Sequence, residues 1–413
     1  MTTHQQIPHS LTPAPTSPAL DRPRWVGHAL VLAIGAFAMG TDSFVLAGIL
    51  PQLAQGLHAT GSAAGQAVTA FALTYALAAP ILAACTSRFA RKPLLTVALT
   101  LFAAANLASA ASPSLGVLLA ARVLAGISAA LFTPNASAAA VALAGPASRG
   151  RALSIVLGGL TVGTVLGVPI GTAIGQHLSW RASLVFVAAV SALALLSLLA
   201  KLPKLPPIAA VPLAQRLALL VRGHVLAIVT TIFLATAGSI MVYTYIAQIL
   251  EHTAHVRGAT LAVALLMWGI GGTAGAFGSG WLTDRHGATR TLSYAIAALA
   301  VTLIALPHAT SAPVVYAVML VNGAAGWAMA TPNNHRLTAL APAMPSVVIS
   351  YNSSGIYLGQ AAGAALGGLL LTHQASAAAL CLTGAALAGA ALVLNLAIAK
   401  TAPRRSTQSR LSR

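Results

Sequence analysis

The sequence predicts an all-α polytopic membrane protein: twelve transmembrane helices in two pseudo-symmetric six-helix halves. Three observations lead there. Of the 413 residues, 58% are hydrophobic and 6% charged, where a soluble domain carries about 25% charged residues. The apolar residues fall into twelve runs of the length needed to cross ~30 Å of hydrocarbon as helix. The bases gather in the intervals on one side of those runs. The formal net charge of +18 therefore reads as loops facing the cytoplasm, and no nucleic acid is expected as a partner.

The elements follow in order. Residues 1–24, rich in Pro, Thr, Ser and Gln, read as a disordered cytoplasmic tail. They are not a signal peptide, because the apolar run after Trp25 exceeds a secretory core in length. An N-terminal half, 25–200, holds spans at 25–50, 62–84, 94–111, 115–137, 152–176 and 182–200. A polar cytoplasmic linker, 201–224, separates it from a second half, 225–399, with spans at 225–249, 259–282, 290–307, 313–333, 347–372 and 376–399. A basic cytoplasmic tail, 400–413, ends the sequence. With both termini inside, 19 of the 22 bases lie in inside segments. Arg181 and Arg257 lie outside, and Arg122 lies within a span.

The halves repeat each other. Thr133-Pro134-Asn135 ends the fourth predicted span and Thr331-Pro332-Asn333 the tenth, 198 residues on. Ser87-Arg88 recurs as Asp284-Arg285 at an offset of 197, and Gly163, Gly167 and Gly171 recur as Gly359, Gly363 and Gly367 at 196. Parallel repeats with a site at the membrane midplane between them describe a large class of transporters.

Only four acids occur: Asp21, Asp42, Glu251 and Asp284. The first reads as tail and the last two as loop residues, so Asp42 alone sits where a carboxylate could carry a proton across the bilayer. An acid inside a span is costly and by default functional. Cys85 and Cys381 are far apart and read as small packing residues. No Cys-x-x-Cys or His-x3-His spacing marks a metal site, no cofactor is implied, and no nucleophile–base pair suggests an enzyme.

These residues resemble the major facilitator superfamily, and within it the twelve-helix drug:proton antiporter branch of arabinose-efflux and chloramphenicol-efflux permeases. Asp42 stands nine residues before Pro51, as in that branch, while a second carboxylate that many members carry is replaced by Ser43. The resemblance implies a cytoplasmic latch after the second and eighth spans. The first copy keeps Arg88, Arg91 and Lys92 but lacks the acid and both glycines. The second, from Gly280, keeps Asp284, Arg285 and Gly287. Topology-setting charge is the plain alternative for the three bases of the first copy.

Arg122, in Leu118-x3-Arg122-x3-Gly126, resembles the helix-4 arginine motif. It lies about 10 Å from the outer end of its span, and Asp42 about 12 Å from its own, at 1.5 Å per residue. The two charges can therefore pair across antiparallel helices, and the pair is the expected proton-coupling site. Gly163, Gly167, Pro169 and Gly171 resemble the fifth-helix antiporter motif, which implies a tight interface between the halves. Ordinary small-residue packing is the alternative. Candidate residues for a solute cavity are Asn106, Asn135, Tyr243, Gln248, Trp268, Asn322, Trp327, Asn352 and Tyr357, some of which would only join helices.

The expected protein is a monomeric, proton-coupled exporter in a bacterial inner membrane. Its partners would be protons, the lipid bilayer and a small neutral or weakly charged amphipathic solute. The assignment to bacteria comes from the resemblance. A symporter or facilitator for a sugar or nucleoside is the rival within transport. A non-transporting sensor or scaffold is the rival outside it, and no loop is large enough for an output domain.

Overall fold

Within hydrocarbon every backbone N–H and C=O must be satisfied inside the chain, so each apolar run folds as a helix. In the computed structural model, residues 22–86, 88–203, 205, 223–341 and 344–401 are described. Most of the expected linker and both outer tails lie outside these. The first half contains α1 (Trp25–Gly56), α2 (Gly61–Leu82), α3 (Arg91–Ala110), α4 (Leu115–Ala144), α5 (Arg149–His177) and α6 (Trp180–Lys201). The second contains α7 (Gly223–Thr244), α8 (Ala259–His286), α9 (Ala288–His308), α10 (Ala312–Leu340), α11 (Val347–Thr372) and α12 (Ala377–Lys400). Side-chain oxygens cap three of the starts: Thr60 accepts from Ala63 N and Ser179 from Ala182 N, both at 3.1 Å, and Ser376 from Ala379 N at 3.2 Å.

Several helices outrun the spans expected of them. Pro134 lies inside α4, which continues to Ala144. The adjacent Asn135 donates its side-chain amide to Leu131 O at 2.6 Å, within the same helix. In α10 the regular helix is interrupted at Met329, three residues before Pro332, and resumes at Ala330. The two Thr-Pro-Asn motifs thus lie within helices and do not end them. Asp284 belongs to the last turn of α8, and Glu251 to a short helix, Ile246–Ala254, that follows α7. Cys85 is exposed and so packs against little, whereas Cys381 is buried.

The repeat seen in the sequence has a packing counterpart. In α5, a Cβ on Gly163 or Gly167 would collide with Phe37 O or the Thr41 hydroxyl of α1, and one on Gly171 would sit 2.6 Å from Val45. In α11, Gly359, Gly363 and Gly367 lie the same way against Phe233, Ala237 and Met241 of α7. Each contact recurs 196 positions on, which identifies the equivalent residues of the halves. The α5 glycines themselves therefore pack on α1 within one half, while Val165 between them lies against Gly269 of the second half. A helix face of small residues is taken up by whichever helix can come nearest.

The core is not symmetric from end to end. Away from the termini, one apolar cluster runs across both halves, with Leu46, Leu50 and Leu53 of α1 among Tyr245, Ile249 and Leu265. Towards the termini it divides. Leu95, Phe102 and Phe132 belong to a first-half cluster, and Val225, Ile228 and Leu337 to a second-half one. The halves are joined at the far end and have separate cores at the end that bears most of the bases.

Candidate functional site

Asp42 sits midway along α1 and Arg122 one-quarter of the way down α4. Their side chains meet in a bidentate pair: Arg122 Nη1 donates to Asp42 Oδ1 at 2.8 Å and Nη2 to Oδ2 at 2.9 Å. The residues are 0% and 1% exposed, and no other ion pair occurs among the described residues. Two parallel charge-assisted bonds are the strongest form this contact takes. The guanidinium also lies 4.8 Å from the centre of the Phe71 ring in α2. Its Nε has no hydrogen-bond partner among the described residues. Breaking such a pair by removing one member costs about 3–5 kcal/mol, because the other charge is then buried alone.

The neighbouring residue ties this pair to α5. The single Thr41 Oγ1 proton is shared between Phe37 O at 2.9 Å and Gly163 O at 3.1 Å. Gly163–Gly167 forms a π turn in which Val168 N–H also reaches Gly163 O. Pro169 has no N–H, so the α pattern cannot continue through it, and the widened turn follows. On its other side the turn meets the second half: a Cβ on Gly269 of α8 would lie 2.7 Å from Val165 Cα.

Beside the pair, and joining the halves, four aromatic rings cluster. Phe44 of α1 lies 5.6 Å from Tyr243, 5.3 Å from Trp268 and 6.1 Å from Trp327, centre to centre. Tyr243 and Trp268 are 4.2 Å apart, and Trp268 and Trp327 6.2 Å. Trp268 Nε1 donates to Asn322 Oδ1 at 3.2 Å, and Asn322 Nδ2 to Thr302 Oγ1 at 2.9 Å. Four predicted cavity residues, Tyr243, Trp268, Asn322 and Trp327, are thereby brought together. A fifth, Tyr357, stacks on Tyr75 of α2 at 3.6 Å, also across the halves.

The other candidates lie elsewhere. Asn106 is buried in α3 and donates to Phe102 O at 3.1 Å. Asn135 accepts from Arg91, and Asn352 accepts from Asn333 at 2.6 Å inside the second half. Gln248 lies against Gly61 at the far end. The three asparagines hydrogen-bond to a helix backbone or to a neighbouring side chain, the commoner task of an amide inside a membrane bundle. Among residues that sequence reasoning missed, Phe44 carried no signal, being one phenylalanine in an apolar run. Phe71, Tyr75 and Thr41 were equally silent.

Among the described residues no hydrogen bond or ion pair joins the latch candidates of the two copies. Lys92 Nζ donates to Leu199 O and Leu202 O at 3.0 and 2.6 Å, holding the end of α6. Arg88 lies over Phe89 and Arg285 over Trp281, at 5.2 and 5.4 Å. Asp284 and Gly287 are exposed, and Asp284 has no ion pair among the described residues.

Two repeated six-helix halves, joined at one end, with a charge pair and an aromatic cluster buried near their meeting point, define a membrane transporter built on parallel repeats. Comparison with known proteins gives the family. The chain belongs to the Major Facilitator Superfamily, whose family model matches residues 32–345. It is 30% identical to the inner membrane transport protein YdhP of Escherichia coli K12, over 91% of this chain and 96% of the relative. It is 33% identical to a chloramphenicol resistance protein of Streptomyces lividans, over 83% and 88%. A crystal structure of the nucleoside transporter NupG has the same fold, with a TM-score of 0.72 at 14% identity, over 91% of this chain and 99% of that one.

Proposed function

We propose that the protein exports a small, neutral or weakly charged amphipathic solute in exchange for protons, by alternating access, across a bacterial cytoplasmic membrane. Both termini lie in the cytoplasm in this reading. The observation that carries it is the Asp42–Arg122 pair. A carboxylate with both oxygens held by one guanidinium cannot take a proton without giving up part of that contact. Protonation state and helix position are then linked, because α1 carries Asp42 and hooks α5 through Thr41.

The cycle follows from making and loosening the Asp42–Arg122 pair. In this reading the pair as it stands, fully made, is the state after proton release to the cytoplasm. Opening the far end would loosen the pair, admit a proton to Asp42 and free the solute. When the base-rich end closes, Asp284 meets the first-half bases Arg88, Arg91 and Lys92 and latches it. The Gly-Val-Pro-x-Gly string at Gly167–Gly171 and the similarity to a chloramphenicol resistance protein favour export over uptake of a sugar or nucleoside.

The test is Asp42→Asn in proteoliposomes. Asn preserves size and hydrogen bonding but cannot ionise. Flux driven by a pH gradient should fall to background while solute binding persists. Full coupled flux from this variant would sink the mechanism.

A further inference from the structure

We propose that Phe44, Tyr243, Trp268 and Trp327 form a subsite for a flat, neutral aromatic group bearing one hydrogen-bonding atom. The inference rests on the export reading only for the direction in which such a solute moves.

The rings come from both halves, Phe44 from the first and the other three from the second, so motion of the halves remakes or opens the cluster. One wall is held in place. The Trp268 indole is fixed by the chain of bonds through Asn322 to Thr302. A glycine makes room for one indole: a Cβ on Gly272 would lie 2.9 Å from the Trp327 ring. Tyr243 and Trp268 are buried, while Phe44 and Trp327 keep partial exposure. A cluster serving only to seal the bundle needs none of its members to be reachable.

The hydroxyl gives the second observation. Tyr243 is 4% exposed, and its Oη has no hydrogen-bond partner among the described residues. A tyrosine is more polar than packing requires, and burying an unpaired hydroxyl is unfavourable. Phenylalanine would fill the same space without that cost. The unpaired hydroxyl among three other rings is what a ligand carrying one donor or acceptor would complete.

Charge decides between neutral and cationic ligands. Aromatic rings alone also attract cations. Among the described residues Asp42 is the only carboxylate buried within the spans, and its two oxygens are both taken by Arg122, so a buried cation would find no counter-ion. Planarity follows from the rings themselves, which gain most from a partner that can stack or meet them edge to face.

The test uses the purified full-length protein in lipid nanodiscs, with binding measured by equilibrium dialysis against empty nanodiscs. Four probes are compared: 2-naphthol, its saturated counterpart decahydro-2-naphthol, naphthalene and trimethyl(2-naphthyl)ammonium. 2-Naphthol should bind about tenfold more tightly than the saturated alcohol, the effect of two or so aromatic contacts. Tyr243→Phe should weaken 2-naphthol about three- to tenfold and leave naphthalene unchanged, as loss of one neutral hydrogen bond predicts. Trp268→Leu should erase the preference for the aromatic ring, and Trp268→Phe should restore part of it. If Trp268→Leu does not fold, Trp327→Leu and Phe44→Leu carry the same expectation. Equal binding of the saturated alcohol, tighter binding of the ammonium, no binding of any probe, or a preference that survives these leucine variants would overturn the subsite. Ring-selective binding together with flux indifferent to a pH gradient would instead overturn the export reading and leave the subsite standing.

Discussion

The two halves share one helix framework but not one chemistry. Equivalent packing contacts give the correspondence. Gly126 lies against Phe71 O and Gly323 against Trp268 O, 197 positions on, just as the α5 and α11 stripes match at 196. By those offsets Asp42 corresponds to Gly238, Arg122 to Met319, and Phe71, under the guanidinium, to Trp268. The charged pair of the first half has a glycine and a methionine as its counterpart. Conversely Tyr243 and Trp327 of the second half correspond to Ala47 and Ala130. A duplicated fold has thus placed a titratable pair on one side and rings with an amide on the other. A packing scaffold tolerates both because the glycine stripes, not the central side chains, set the distance between helices.

The largest effect should come from giving the first half the residue of the second. Arg122→Met leaves Asp42 buried without a partner and should destabilise the protein by about 3–5 kcal/mol. Adding Asp42→Asn to it removes the charge and should recover most of that loss, with transport still absent. Unfolding of the detergent-solubilised proteins measures both. A single variant as stable as the parent would show that the pair is not desolvated.

A smaller effect should distinguish the two glycine stripes. Gly167→Leu and Gly363→Leu both overpack a helix contact, at about 1–3 kcal/mol each. Only Gly167 touches Thr41, next to Asp42. Gly167→Leu should therefore change the protons moved per solute in the molecules that still transport, and Gly363→Leu should not. Identical stoichiometry in the two would remove the link between the π turn and the acid.

The smallest effect belongs to Asp284, exposed at the end of α8. Asp284→Asn should slow turnover by about fivefold at most, the range of a surface ion pair, with the amount of protein in the membrane unchanged. Turnover at parental rate would mean that no latch forms there, and a fall in membrane protein would make the residue structural.

Twelve spans were legible because hydrophobic length and backbone hydrogen bonding leave a membrane segment almost no other fold. Their ends were less so. The fourth and tenth spans were expected to end at Ser137 and Asn333, whereas the helices run on to Ala144 and Leu340, the first through further apolar residues and the second through a polar turn. The Asp42–Arg122 partnership was also within reach of sequence reasoning, since two opposite charges at similar depth in apolar spans have few other choices. Amides were harder. Asn106, Asn135, Gln248 and Asn352 look in sequence like Asn322, and only their neighbours separate a helix-to-helix bond from a place beside the rings.

The sequence by itself determined the class of fold, the repeat and the one acid that the spans contain, because each depends on composition, period or rarity along the chain. Only the tertiary structure decided which faces meet. It turned the α5 glycines onto α1, and brought Phe44 of the first half to Tyr243, Trp268 and Trp327 of the second. It also left the halves with separate cores at the base-rich end. Those outcomes depend on the rotation of each helix about its axis, and hydrophobicity on all sides of a buried helix carries almost no record of that rotation.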